Sequence, residues 1–121
     1  MRIYISGPIS GRDRNTVREA FERAEAMIIE RGHIPVNPVR IAEELPEGSE
    51  WKDYMAADLP ALFRCDAIFQ LDGWKSSNGC KLENMAAIYS HMPRFCPMFP
   101  VPFANKTLEN LSRRKRENGR R

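Results

Sequence analysis

The feature that most constrains the fold is an alternation of short apolar runs with longer segments whose apolar residues recur at helical spacing. The short runs are residues 2–6, 33–37 and 66–71, and a last one, interrupted by prolines, lies within 94–101. Strands that alternate with helices in this way form βαβ units, in which the strands pair in parallel and the helices cover both faces of the sheet. We therefore predict an α/β fold, with ligands bound beyond the carboxyl ends of its strands.

The most regular helical pattern follows the first of these strands. Thr16 and Glu19 have the spacing of a capping box, and Gly32 stands where the residue after a helix is often glycine. The apolar residues between them form one stripe at helical spacing, made of Val17, Ala20, Phe21, Ala24, Met27 and Ile28. This pattern predicts a helix over 17–31.

Three further helices are predicted with less regular boundaries. Ser49 caps a segment of helical period that passes through Pro60, and a proline at this point should kink the helix or restart it. Ser77 or Asn78 caps the next helix, and a terminal helix is expected around 104–116. The core stripe expected for the helix after Ser77 is Leu82, Met85, Ala86 and Tyr89.

The charge is unevenly distributed along the 121 residues. The net charge is +3, but residues 113–121 (RRKRENGRR) carry a local charge of +5, which leaves −2 for residues 1–112. We therefore predict one domain over 1–112 followed by a basic tail over 113–121. Such a tail is either a solvated terminus or a contact for nucleic acid or another anionic surface.

Cysteine and histidine usage argues against a metal or disulfide framework. Cys65, Cys80 and Cys96 are odd in number and widely spaced, and neither His33 nor His91 has a partner at metal-ligand spacing. We expect free thiols, structural histidines and no metal or cofactor. No run approaches the ~20 apolar residues that a membrane span needs, and the N-terminus enters a strand rather than a secretory segment. The expectation is a cytoplasmic protein without membrane contact.

Asp58 breaks the apolar pattern of its helix. It follows Trp51 by seven residues and Tyr54 by four, so it falls in the middle of the stripe, where an unpaired carboxylate is costly to bury. One interpretation is a carboxyl group that faces a cavity. The alternative is a local cap, in which Asp58 begins a new helix at Leu59 and Pro60.

Glu83 is the second unusual carboxylate. It lies in the first turns of the helix that begins after Ser77, where the helix dipole favours a negative charge. Gly79 lies one turn earlier on the same face, and its bare backbone would let another molecule approach. The alternative is an ordinary exposed charge near a helix start.

The loop after the first strand, GPISGRDR, has glycines, a serine and arginines that could cradle a phosphate. It matches neither of the common phosphate-loop patterns, so an ordinary surface loop is the alternative. We single out as candidate ligand contacts Gly7, Pro8, Ile9, Ser10, Gly11 and Arg12.

Three segments together resemble the nucleoside 2-deoxyribosyltransferase superfamily, and most of all its small bacterial and phage branch. They are the opening RIYISGPISG, the central YMAADLPALFRCDAIFQLDGW and the following SSNGCKLENMAAI, and the resemblance covers about residues 1–91. It implies a flavodoxin-like (Rossmann-like) three-layer sandwich with a parallel sheet of about four to five strands. It also implies a homo-oligomer whose sites are completed across an interface.

The resemblance implies a role for each unusual carboxylate. Glu83 would be the nucleophile that attacks the anomeric carbon of a 2-deoxynucleoside, and Asp58 would be the acid/base beside the departing base. Tyr4 would orient the nucleophile or the sugar. This is two-carboxylate glycosidic chemistry, in which one group attacks and the other manages the leaving-group proton.

Two positions depart from the family pattern. Ser77 stands where the transferases have a second carboxylate, and in the branch that hydrolyses deoxynucleoside 5′-monophosphates a serine there contacts the phosphate. We therefore expect cleavage or transfer of the N-glycosidic bond of a deoxynucleoside monophosphate, with Ser77, Asn78 and Gly79 among the substrate contacts. Asn84 replaces the family's glycine. The alternatives are a catalytically silent nucleotide-binding or signalling module and a transferase acting on unphosphorylated nucleosides.

Overall fold

The computed structural model describes residues 1–104, which form a four-stranded parallel sheet between two layers of helices. The strand order is β2-β1-β3-β4, so the first strand lies inside the sheet, with β2 on one side and β3 and then β4 on the other. The strands are β1 (Arg2–Ser6), β2 (Ile34–Val36), β3 (Ala67–Gln70) and β4 (Arg94–Phe95). The helices are α1 (Arg14–Glu30), α2 (Pro38–Ala42), α3 (Trp51–Phe63) and α4 (Asn78–Tyr89), with a short 3-10 helix at Trp74–Ser76. The predicted α/β three-layer architecture is confirmed.

The alternation of side chains along β1 and β3 divides the core into two layers. Ile3 and Ile5 of β1 pack with Ala67 and Phe69 of β3 against α1. Tyr4 of β1 and its β3 neighbours on the opposite face pack against α3 and α4. Because successive strand residues point to opposite faces, the residue two positions after Tyr4 lies in the same layer. This layer holds the candidate site.

The α1 helix is longer than predicted and has a different cap. It begins at Arg14, because the Asp13 side chain accepts hydrogen bonds from both the backbone N–H and the hydroxyl of Thr16, each 2.9 Å long. Thr16 is therefore inside the first turn instead of being the cap. The predicted apolar stripe is correct, and four of its members are buried: Val17, Phe21, Ala24 and Ile28.

Helix α3 corrects two predictions. It runs without a break through Pro60, so Asp58 lies inside the helix and does not cap a second one. Its N-cap is Glu50, whose backbone N–H donates to the Asp53 carboxylate at 2.8 Å, whereas the Ser49 hydroxyl donates to the carbonyl of Pro46. Pro60 removes one backbone donor from the helix three residues before its end, and its ring crowds the carbonyl four residues earlier, so the helix continues at a cost.

The core stripe predicted for α4 is wrong. Ser77 caps the helix as expected, but the buried face consists of Gly79, Cys80, Glu83 and Ala87. Tyr89 is 76% exposed, and Leu82 and Met85 are exposed too, while Ala86 is partly buried. The predicted stripe and the buried set both repeat at helical spacing, and the face that packs against the sheet is the one that carries Glu83.

The last predicted strand is shorter than expected, since only Arg94–Phe95 pairs with β3 and residues 96–104 form none. The predicted terminal helix beyond residue 104 and the basic tail 113–121 lie outside the described residues. Cys65 and Cys80 are buried, Cys96 is partly exposed, and all three are free thiols. Within residues 1–104, no helix is both long and apolar enough to cross a membrane.

Candidate active site

Two hydroxyls from one face of β1 contact the Glu83 carboxylate of the site, although neither side chain lines its cavity. Tyr4 and Ser6 are fully buried, and the two-residue period of the strand points both toward α4. Gly7 follows directly, and a side chain there would collide with Leu71, since its Cβ would lie 2.7 Å from that residue's Cδ1. Glycine therefore lets the chain turn from β1 into the loop next to these hydroxyls.

Glu83 lies on α4, where it is only 3% exposed, and its carboxylate accepts a hydrogen bond from each of these hydroxyls. The Tyr4 hydroxyl donates to one carboxylate oxygen, Oε2, and the Ser6 hydroxyl donates to the other, Oε1, at 2.8 Å. The pKa of Glu83 is raised above its usual value because the side chain is buried, and the hydrogen bonds from Tyr4 and Ser6 offset part of this rise. The arrangement holds a carboxylate in a fixed orientation and favours its ionised form over what burial alone would allow.

Asp58 supplies a second carboxyl group to the same cavity. It is 6% exposed on α3, and burial, followed by the negative charge of Glu83, raises its pKa to about 7. Burial also raises the pKa of Tyr4 well above its usual range, with a smaller contribution from the charge of Glu83, so its phenol remains a donor. The site thus pairs a carboxyl group that keeps its proton up to about neutral pH with one supported as an anion.

The cavity has a volume of about 700 Å³ and opens at the carboxyl edge of the sheet. Asp58 and Glu83, the two carboxylates singled out in the sequence, both line it. Most of the predicted substrate contacts line it as well: Gly7, Ile9, Ser10, Arg12, Ser77 and Gly79.

Three of the predicted contacts are not among the described residues that line this cavity. Pro8 faces a separate groove along α1, Gly11 has a positive φ of 73° at an open turn, and Asn78 is exposed at the start of α4. The space above Gly79 also differs from the expectation. The Met55 methyl group lies 3.1 Å from where a Cβ would stand, so the bare backbone lets α3 approach α4.

Several residues that line the cavity were not singled out by the sequence as contacts. Arg14 and Arg18 of α1 contribute cations, and Trp51, Tyr54 and Met55 of α3 contribute an apolar wall. Ser6, which contacts Glu83 without lining the cavity, was also missed, although the two-residue period of β1 would have placed it on the same face as Tyr4. The arginines had no such signal, because exposed arginines on a helix are ordinary.

Asn84, the departure from the family's glycine, points away from the cavity into a polar cluster. Its side-chain oxygen accepts from the Gln70 amide at 2.7 Å and from the Arg94 guanidinium at 2.9 Å. These bonds join the turn of α4 that carries Glu83 to β3 and β4. Among residues 1–104, no group of three His, Cys, Asp or Glu side chains could hold a metal ion.

The parallel sheet, its two helical layers and the site at its carboxyl edge define an α/β protein with the fold of the nucleoside 2-deoxyribosyltransferases. The chain is similar to the solved structure of a 2-deoxyribosyltransferase from Bacillus psychrosaccharolyticus, with a TM-score of 0.62 and 19% sequence identity. The match covers 87% of this chain and 77% of that enzyme. Comparison with curated proteins gives no match. The chain belongs to the DUF4406 family, a domain of unknown function whose model matches residues 1–93.

Proposed function

We propose that this protein cleaves or transfers the N-glycosidic bond of a 2′-deoxynucleoside 5′-monophosphate. The observation that carries the proposal is the convergence of two buried carboxyl groups, Asp58 and Glu83, on one cavity at the carboxyl edge of the sheet. Structural similarity to a 2-deoxyribosyltransferase gives the fold in which such chemistry is known. Glycosidic cleavage with a covalent intermediate needs one carboxylate to attack and a second group to manage the proton.

In the first step, a Glu83 oxygen attacks the anomeric carbon while the bond from that carbon to the base nitrogen breaks. The bonding electron pair leaves with the base, which takes a proton from Asp58. In the second step, water or the nitrogen of a second base attacks the glycosyl–Glu83 ester, and the Asp58 carboxylate takes the proton released. The products are the free base and either deoxyribose 5-phosphate or a new nucleotide. Tyr4 holds the Glu83 carboxylate in its attacking orientation.

The preference for a monophosphate is supported by the groups that line the loop side of the cavity. Ser10, Arg12 and Ser77 all line it, and none of them brings a negative charge. A hydroxyl at position 77 can donate to a phosphate, whereas a carboxylate there would repel the dianion. Arg14 and Arg18 add positive charge to the same cavity. Such a substrate belongs to the cytoplasm, which is where we propose that the protein acts.

The proposal is tested by incubating the protein with each deoxynucleoside monophosphate and measuring the released base by chromatography. We expect release with the wild type and none with Glu83→Gln, whereas Glu47→Gln, a change of an exposed glutamate, should behave as the wild type. The unphosphorylated nucleosides should react more slowly. Adding a second base then separates transfer from hydrolysis. No release from any monophosphate, or equal release by Glu83→Gln, would refute the assignment, and tight nucleotide binding without products would favour the silent module.

We also propose that the protein forms homo-oligomers through the outer face of α4. The apolar side chains of Leu82, Met85, Ile88 and Tyr89 are exposed there on one helix, which is unusual for a surface exposed to water. Sedimentation should give a mass above 14.0 kDa for the wild type and a lower mass for Met85→Glu. An unchanged mass of 14.0 kDa for the wild type at all concentrations would contradict this.

A further inference from the structure

Ser6 is a fully buried polar side chain that the proposed reaction does not yet use. We infer that Ser6 is a positioning residue for the nucleophile, which fixes the orientation of the Glu83 carboxylate through the oxygen that Tyr4 does not contact. This inference rests on the proposed function, since it assigns a part in that same reaction. Its evidence is the hydrogen bond from the Ser6 hydroxyl to Glu83 Oε1 at 2.8 Å, in a place fully shielded from water.

The backbone of Ser6 is unusually well fixed for a residue beside a loop. Ser6 pairs with Gln70 in the parallel register of β1 and β3, and its carbonyl accepts from the Leu71 N–H at 2.8 Å. A functional group on a central strand keeps its position better than one on a loop. The hydroxyl is therefore held by the sheet while Glu83 is held by α4, and the bond between them joins the two elements.

The two hydroxyl groups donate to different oxygens of the Glu83 carboxylate. Tyr4 donates to Oε2 and Ser6 donates to Oε1, so the carboxylate plane is fixed at both oxygens. Each carboxylate oxygen has two lone-pair sites, so one on each oxygen remains free for attack. A single donor would fix one oxygen and leave the carboxyl group free to rotate about its last bond. With two donors, the attacking lone pair is aimed before the substrate arrives, which removes an orientation requirement from the reaction.

The same bond also affects protonation, because a donor to the charged form stabilises that form. Burial raises the pKa of Glu83, and both hydroxyls oppose this rise. Without the Ser6 hydroxyl, the carboxylate would take up a proton at a higher pH. The acid limb of the rate profile would move accordingly, which a residue that only packs in the core would not cause.

The test compares Ser6→Ala, Ser6→Thr and Ser90→Ala, a hydroxyl removed from the exposed end of α4. The measurements are kcat and kcat/KM for base release against pH, together with the pKa of Glu83 in the free protein by carboxyl carbon NMR. For Ser6→Ala we expect the acid limb and the Glu83 pKa to rise by about one unit and kcat to fall about tenfold. Ser6→Thr should restore both, and Ser90→Ala should match the wild type.

The outcomes separate this inference from the proposed function. If the wild type releases base but Ser6→Ala keeps the same acid limb, kcat and Glu83 pKa, Ser6 is not a positioning residue and the glycosidic reaction stands. If the wild type releases no base, the proposed function fails whatever Ser6 does. Loss of activity in Ser6→Ala without a rise in the Glu83 pKa, and without rescue by Ser6→Thr, would indicate misfolding and also overturn the inference.

Discussion

Replacing Asp58 by asparagine should stabilise the protein at alkaline pH while abolishing its activity. In the folded chain the pKa of Asp58 is raised from 3.8 to about 7, chiefly because the carboxyl group is buried and secondly because Glu83 is nearby. The folded state therefore holds this proton more tightly than the unfolded state. Between these two values the folded state binds more protons, so the free energy of unfolding falls as pH rises, and above about pH 7 the loss is complete.

The magnitude follows from the size of the shift. About three pKa units correspond to about 4 kcal/mol at 1.36 kcal/mol per unit. Asp58 borders a cavity that opens to solvent, and screening by water reduces this to about 2 kcal/mol. Asp58→Asn carries no titrating group at this position. Only about two of these three units lie above pH 5, so relative to the wild type the variant should gain about 1.3 kcal/mol in the free energy of unfolding between pH 5 and pH 8.5.

Urea unfolding followed by far-ultraviolet circular dichroism at the two pH values measures this difference. Protein concentration must be the same throughout, since an oligomer's stability depends on it. Asp72→Asn, a change of an exposed aspartate, is the matched control and should leave the pH dependence of the wild type unaltered. Parallel pH dependence in Asp58→Asn and the wild type would refute the argument that burial of Asp58 raises its pKa at the expense of stability.

Three further outcomes follow from the site. In wild-type kcat/KM profiles, activity should fall above about pH 7, as Asp58 loses the proton it must donate. In Tyr4→Phe, kcat should fall about 10–100-fold, the equivalent of a hydrogen bond of about 1.5–3 kcal/mol to a charged group, and steady-state assays with substrate in excess measure it. In Ser77→Asp, competition assays should show that kcat/KM for the monophosphate falls at least about tenfold relative to that for the unphosphorylated nucleoside, because the new carboxylate repels the phosphate. Undiminished kcat/KM at pH 9, an unchanged kcat in Tyr4→Phe, and an unchanged substrate preference in Ser77→Asp would contradict these three predictions in turn.

The layered sheet was predictable from the sequence because its elements are strongly periodic. The stripe of α1 fits a single helical face, so its buried residues were identified, and only the cap was wrong, since Asp13 and Thr16 are both good capping residues. The face of α4 was not predictable in this way. Its most apolar residues and its buried residues both repeat every three to four positions. Hydrophobicity alone predicts that the more apolar face is buried, but in the structure that face is exposed.

The candidate site shows the same division between local and tertiary information. Asp58 was found because it interrupts the apolar stripe of its helix, and such conflicts are typical of functional positions. Glu83 was singled out by its position near a helix start, one turn after Gly79, and by the resemblance to the transferase superfamily. The structure places both carboxyl groups in the lining of one cavity, as two-carboxylate glycosidic chemistry requires. Ser6 and the helix α3 wall depend on which strand and helix faces meet across the sheet. That information appears only when the elements are packed together.

The segment after the last strand has a consequence for where this domain ends. Val101 is fully buried in the layer beneath α1, its carbonyl accepts from the Arg31 guanidinium at 2.6 Å, and the Ala104 N–H donates to the Arg31 carbonyl at 2.8 Å. A polypeptide cut at residue 93, the limit of the family match, would lack this plug and leave Ile28 and its neighbours open to water. We therefore expect a fragment that reaches residue 104 to be more stable to unfolding than one that ends at residue 93.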